Sequence, residues 1–96
     1  MPRGYWVIEF RSVLNQAGVD RYAQVAGPAI RAHGGRVLVG GQPIATFEVG
    51  LPLRAAVVEF DTLDLALEAY RSADYQAAVA HLSGAAERDV RIVEGV

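Results

Sequence analysis

The sequence predicts an α+β fold in which strand–helix–strand is run through twice, β-α-β-β-α-β. Three observations carry this. Gly4–Phe10 (GYWVIEF) and Ala55–Phe60 (AAVVEF) are short, rich in β-branched and aromatic residues, and largely apolar on both parities, as strands covered on two sides must be. Each leads into a stretch whose apolar residues recur every three or four positions, the period of an amphipathic helix. Each of those stretches is followed by a further β-branched run, Arg36–Val39 and Val90–Val93.

Taken in order, the first strand holds Trp6, Ile8 and Phe10 on one parity and Tyr5, Val7 and Glu9 on the other. Arg11 to Gly18 connects it to a helix that Asn15 or Gly18 can start. Val19, Tyr22, Ala26, Ile30 and His33 form one face of that helix. Pro28 lies inside it, removes the bond to the Gln24 carbonyl, and predicts a kink near Gly27. Gly34-Gly35 ends the helix. Arg36–Val39 is the next strand, closed by Gly40-Gly41-Gln42-Pro43. Ile44–Val49 alternates well enough for a short extra strand or an arm, and Gly50-Leu51-Pro52 turns the chain into the strand at Ala55.

Asp61-Thr62 stops that strand. Thr62 can cap the following helix, with Asp64 placed for the helix dipole. Leu63, Ala66, Leu67 and Tyr70 form its stripe. Ser72 is a second cap, with Asp74 behind it, and Tyr75, Val79, Leu82 and Ala86 form the next stripe. Two caps so close together predict one helix broken in two. Val90–Val93 closes the sheet.

This order is the ferredoxin-like arrangement, a two-layer sandwich with an antiparallel sheet. Right-handed crossovers put the two doubly apolar strands at its centre. The helices can cover only one face. The other, carrying Tyr5, Val7, Ala55 and Val57, would be a larger apolar patch than a monomer usually exposes. A second copy packed sheet to sheet is the expected partner, giving a homodimer.

Ninety-six residues predict a single domain spanning 1–96, and 52% apolar content allows a modest core with apolar surface to spare. The net charge is −2 with both signs scattered, so no basic stripe suggests nucleic acid. No apolar run reaches membrane-spanning length, and no signal peptide opens the chain, which predicts a cytoplasmic protein. The absence of cysteine excludes disulfides, thiolate metal sites and a cysteine nucleophile. Gly34-Gly35 and Gly40-Gly41 are not phosphate loops, since neither opens a helix and the chain has no lysine.

Three residues are candidates for chemistry. His33 can serve as a general base or ligand anchor in a pocket between helix and sheet, with Tyr22 orienting it. Alternatively it caps the helix, interacting with the dipole and the last carbonyls. Glu59 shares a parity with apolar residues, as does Glu9. The two strands are antiparallel, so these carboxylates stand at opposite ends and form no acid–base pair within one chain. Glu59 fits an ion pair with Arg36 or Arg54 at least as well. Tyr22, Tyr70 and Tyr75 lie on helix stripes, where aromatics are usually core, although a buried hydroxyl needs a partner and can line a pocket. His81 falls off its stripe and is expected to face solvent. Two distant histidines without a spaced carboxylate predict no metal site, and no cofactor motif is present.

GYWVIEF, AxxAGPAIRAHGG, RVLVGG, VVEFDTLDLALEAYRSADYQ and the closing VEGV together resemble the domain-of-unknown-function family DUF1330, in the dimeric α/β-barrel superfamily. Gly34-Gly35-Arg36, Glu59-Phe60 and Ser72-x-Asp74-Tyr75-Gln76 are the most specific pieces; relatives usually read S-P-E-Y in the last. Gly18-Val19 stands where relatives often have Asp-Pro, and Gly50-Leu51-Pro52 where many have a tryptophan. The resemblance implies a homodimer and no particular reaction. Three readings of function remain: a small dimeric domain binding an apolar or aromatic molecule between helices and sheet; a cofactor-free monooxygenase- or isomerase-like enzyme on a small carbonyl or phenolic compound; and a structural dimerisation module.

Overall fold

The structure is a computed structural model and describes residues 2–96. The chain forms β1 (Gly4–Val13), α1 (Gln16–Ala32), β2 (Arg36–Gly41), β3 (Ala55–Phe60), α2 (Leu63–Arg71), α3 (Ala73–Ala80) and β4 (Ala86–Glu94). The strands make one antiparallel sheet in the order β2-β3-β1-β4, with the two apolar strands at its centre. This is the ferredoxin-like order. The sheet of one chain is open, with β2 and β4 as edges, and does not close into a barrel by itself. No helix among the described residues is long and apolar enough to cross a membrane.

At one end, where Val13 pairs with Ala86, the β1–β4 ladder runs further than apolar alternation predicts. β1 continues to Val13 and β4 begins at Ala86 rather than Val90. The register shifts between Phe10 and Ser12. Such a bulge interrupts the two-residue alternation on which a strand is read from sequence. Beyond it Ser12 faces Glu87, and the Ser12 hydroxyl donates to Glu87 Oε1 at 3.2 Å.

Asn15 starts α1, its side-chain oxygen accepting from the Ala17 N–H at 3.0 Å. The helix passes through Pro28 as one element, where a kink is predicted. Two features make this tolerable. Gly27 has no Cβ to meet the proline ring, and Gln24, whose carbonyl loses its partner, is exposed. At the end of α1 the Gly34 N–H bonds to the Arg31 carbonyl at 3.0 Å and the Gly35 N–H to the Ile30 carbonyl at 2.9 Å, a Schellman closure. Gly34 has φ +81, which favours glycine. At Gly35 the constraint is space: a Cβ there would fall 2.6 Å from Ile30 Cγ2 and 2.8 Å from Phe60 Cζ.

Of the two expectations for Ile44–Val49, the arm is observed and the extra strand is not. Pro43 removes a ladder donor, and the Gly50 N–H bonds back to the Phe47 carbonyl at 2.9 Å, with Glu48 at φ +55. The segment therefore turns before it can pair. Its side chains are solvent-facing, with Ile44 at 105% and Phe47 at 80% relative exposure.

Thr62 caps α2, accepting from the Leu65 N–H at 3.1 Å, and Ser72 caps α3, accepting from the Tyr75 N–H at 3.4 Å, so the helix is broken where two caps predict it. Of the expected stripes, Ala66, Tyr75 and Leu82 are buried and Tyr70 and Val79 pack against the core, while Leu63 and Leu67 are half-buried and Ala69 and Ala78 are buried in addition. Trp6, Ile8, Phe10, Val58 and Phe60 point from the sheet into the helix layer and are buried. The opposite parity, Tyr5, Val7, Ala55 and Val57, is only half-buried, and Val39 and Val93 beside it are exposed.

Candidate functional site

The helix layer is sealed at one end and open at the other. Over Trp6, α2 and α3 close down on four aromatic rings. The Trp6 ring centroid lies 4.6 Å from Tyr75, 5.0 Å from Phe60 and 5.7 Å from Tyr70. The indole N–H donates to the Ala66 carbonyl at 2.8 Å. α1 takes its backbone contacts from α3 rather than from the sheet. Of its residues lining the space above the sheet, Ala23, Ala26 and Gly27 are small, and so is Ala56 opposite them. A cleft of about 300 Å³ remains between α1 and the sheet, with Ile8, Phe10, Ala56 and Val58 as its floor.

Polar groups collect around this apolar floor. Tyr22 on α1 and Tyr75 on α3 bring their hydroxyls to 2.6 Å. Arg88 on β4 donates from Nη1 to both, at 3.0 Å and 3.3 Å. Its guanidinium carbon lies 4.8 Å from the Tyr22 ring centroid, a cation–π contact. Burial, with Tyr22 close by, pushes the Tyr75 phenol far above the ordinary tyrosine range, so it stays protonated and can donate. Burial works against the Arg88 charge, but the oxygens of Tyr22 and Tyr75 outweigh it and the guanidinium is held charged. Arg54, Asp20 and Gln16 also line the cleft, and Gln16 Nε2 donates to Asp20 at 3.0 Å.

Of the three sequence candidates, only Tyr22 is in the cleft. His33 sits at the far end of α1, about 16 Å along the helix axis from Tyr22 at 1.5 Å per residue. It does not line a helix–sheet pocket. Its Nε2 meets Asp74 Oδ1 at 2.9 Å, joining the end of α1 to the start of α3. The Ser72 hydroxyl and then His33 hold the Asp74 carboxyl below its ordinary value. Glu59 is on the open face of the sheet. It accepts from the Tyr5 hydroxyl at 2.8 Å, from Arg36 Nε at 3.1 Å and from Arg3 at 3.4 Å. The Tyr5 hydrogen bond, then Arg36 and Arg3, hold its carboxyl below the usual range. Of its two expected partners Arg36 is present, and Arg54 lines the cleft instead. Glu9 stands opposite Ala55, at the other end of the sheet from Glu59. His81 is half-buried, not solvent-facing.

Sequence reasoning missed Arg88 and placed Arg54 beside Glu59 rather than at the cleft. The signal was parity: Arg88 alternates with Val90 and Ile92, which packs it toward the helices. Among the described residues no three His, Asp or Glu side chains converge.

An open four-stranded antiparallel sheet with all helices on one face, and a polar-rimmed cleft under the first helix, define a ferredoxin-like α+β protein. Residues 3–96 match the family described as Domain of unknown function (DUF1330), and the chain belongs to that family. No curated protein matches the sequence. Among solved structures the chain is similar to RPA0582, a protein of unknown function from Rhodopseudomonas palustris, with TM-score 0.72 and 16% identity over 99% of this chain and 83% of that one. It is similar to a dimeric ferredoxin-like protein of unknown function from Thermobifida fusca, with TM-score 0.68 and 16% identity over 97% and 91% of the two chains. It is also similar to a "Putative antibiotic biosynthesis monooxygenase" from Nitrosomonas europaea, with TM-score 0.66 and 19% identity over 100% and 93%. At these identities the likeness is one of fold.

Proposed function

We propose that this chain is a homodimeric domain that binds a small apolar or aromatic molecule in the cleft beneath α1. The carrying observation is the cleft itself: an apolar floor of Phe10, Ile8 and Ala56 with the Tyr22–Tyr75–Arg88 cluster at its edge. Ligand sites have this build, an apolar body with a few convergent polar groups. The dimer follows from the half-buried parity of Tyr5, Val7 and Val57, which the helices leave uncovered, and the name of the Thermobifida neighbour supports it. Packed sheet to sheet, two copies would make the dimeric α/β barrel.

A second reading, a cofactor-free enzyme acting on a small carbonyl or phenolic compound, is favoured by one contact. The Tyr22 hydroxyl lies against the Arg88 guanidinium, which would stabilise a phenolate or a developing oxyanion. The name of the Nitrosomonas neighbour agrees with that reading. In it Tyr22, rather than His33, is the proton-handling residue.

Two measurements test the proposal. Sedimentation equilibrium at micromolar concentration is expected to give twice the monomer mass, and Val57→Asp is expected to split that species by burying an unpaired carboxylate. A clean 10.3 kDa species in the parent protein would refute the dimer. For the cleft, 2-naphthol titrated into ¹⁵N-labelled protein should shift the amides of Tyr22, Ala26 and Ala56. No shift there would leave only a structural dimerisation module.

A further inference from the structure

We infer that the cleft takes an anion: an aromatic or apolar carboxylate, or an enolate of the same shape, whose negative end sits on Arg88. This rests on the cleft being the binding site. It adds the charge of the occupant, which an apolar cleft alone does not specify.

The arginines of the chain differ in what they are paired with. At the edge of the open face, Arg36 bonds to Glu59 at 3.1 Å and Asp61 at 3.0 Å, and Arg3 reaches the same two carboxylates. On β4, Arg91 is paired with Asp89 at 3.1 Å. Arg88 is more enclosed than any of these, yet among the described residues it makes no ion pair. Its hydrogen-bond partners there are the hydroxyls of Tyr22 and Tyr75, and Tyr75 is held in the neutral form by burial. A half-buried guanidinium without a counter-charge is costly to keep, and an incoming anion removes that cost.

Geometry adds a second point. Both phenol contacts use Nη1. Guanidinium offers five N–H donors, and Nε and Nη2 make no bond within the described chain. Among the described residues no unbonded polar side-chain atom is sealed away from solvent, so this free edge touches solvent. Nε and Nη2 are the pair that meets a carboxylate as a fork.

A third point comes from the sheet. Phe10 pairs with Arg88 across β4, and its N–H donates to the Arg54 carbonyl at 3.0 Å on the other side. Arg54, Phe10 and Arg88 therefore form one cross-strand row facing the helices, with the outer backbones roughly 10 Å apart. Gly40 leaves room for Arg54 beside it, since a Cβ there would lie 3.2 Å from Arg54 Nη2. An aromatic ring over Phe10 would thus lie between two cations. Among the described residues Asp20 is the only carboxylate lining the cleft, and Gln16 already donates to it. The charge around the cleft is net positive.

The test uses a matched pair of probes, 2-naphthoate and neutral 2-naphthamide, titrated into the parent protein by NMR. Naphthoate is expected to shift the Tyr22 and Ala26 amides and the Arg88 Nε–Hε signal, and to bind about tenfold or more tightly than naphthamide. Arg88→Gln is expected to erase that difference by bringing naphthoate affinity down to the level of naphthamide on the same variant. Should that variant fail to fold, raising salt on the parent protein answers the same question: naphthoate affinity should fall and naphthamide affinity stay level. Equal affinities at the cleft, insensitive to salt, would overturn the anion assignment and leave the binding cleft standing. Shifts confined to Arg3 and Arg36 on the open face, or no shift of cleft amides with either probe, would overturn both.

Discussion

The two ends of the helix layer rest on the same sheet and differ in what fills them. Both helix surfaces are small-residue surfaces: Ala66, Ala69 and Ala78 at one end, Ala23, Ala26 and Gly27 at the other. At the first end Trp6 and Phe60 rise from the strands and Tyr75 of α3 packs on them, each with less than 2% of its surface exposed. At the second the floor is Ile8, Phe10, Ala56 and Val58, and the volume is not made up. A small helix surface buries a large side chain or leaves a hole, according to what the strand beneath presents. The polar groups follow suit: the sealed end satisfies its one indole N–H internally, while the open end keeps a charged guanidinium edge free.

Removing the anchor of the sealed end should have the largest effect. Trp6→Ala is expected to cost about 3–5 kcal/mol, read by urea unfolding. That is a large part of the ~5–15 kcal/mol typical of a domain. A loss below about 1 kcal/mol would mean that the aromatic cluster is not what holds the two layers together.

Adding the same bulk at each end sharpens the contrast. Ala66→Leu enters space already filled by Trp6 and should cost about 1–3 kcal/mol. Ala26→Leu enters the cleft, should stay within about 1 kcal/mol of the parent protein in thermal unfolding, and should abolish 2-naphthoate binding. Similar losses at both positions would show that the cleft is not free space.

The smallest effect concerns charge, where paired Arg36 contrasts with unpaired Arg88. Glu59 is held below its ordinary value of 4.5 by Tyr5, Arg36 and Arg3. A carboxylate with a lowered folded value contributes stability above its unfolded value, and that contribution is lost as pH falls through the folded one. Glu59→Gln should therefore be less stable than the parent protein at neutral pH, with the gap narrowing as pH drops below about 4.5. Arg88→Gln should show no such narrowing, because Arg88 has no carboxylate partner to protonate. Denaturant midpoints measured across pH distinguish the two.

These contrasts also mark what the amino-acid order discloses. Apolar parity placed Trp6, Ile8, Phe10, Val58 and Phe60 on the helix side, because a two-residue period leaves no other assignment once one face is buried. Side-chain chemistry made both caps, Thr62 and Ser72, legible. The start of β4 was hidden because Glu87, Arg88 and Asp89 read as a polar loop until β1 pairs with them across a bulge. The meeting of His33 with Asp74, and of Tyr22 with Tyr75, depends on α1 leaning against α3, which no local period encodes. Helical spacing could put His33 and Tyr22 on one face but could not say that the sheet lies under only part of it.

The turn after α1 shows how differently two identical neighbours can be constrained. Gly34 has open space around it and an unusual backbone angle, whereas Gly35 has Ile30 and Phe60 against its α-carbon. In a randomised library the first position should admit asparagine, whose backbone tolerates that region. The second should reject every side chain, alanine included, unless positions 30 and 60 both give way at the same time. Tolerance at position 35 is thus a property of the group it forms with Ile30 and Phe60, and a scan that varies one residue at a time would record it as absolute.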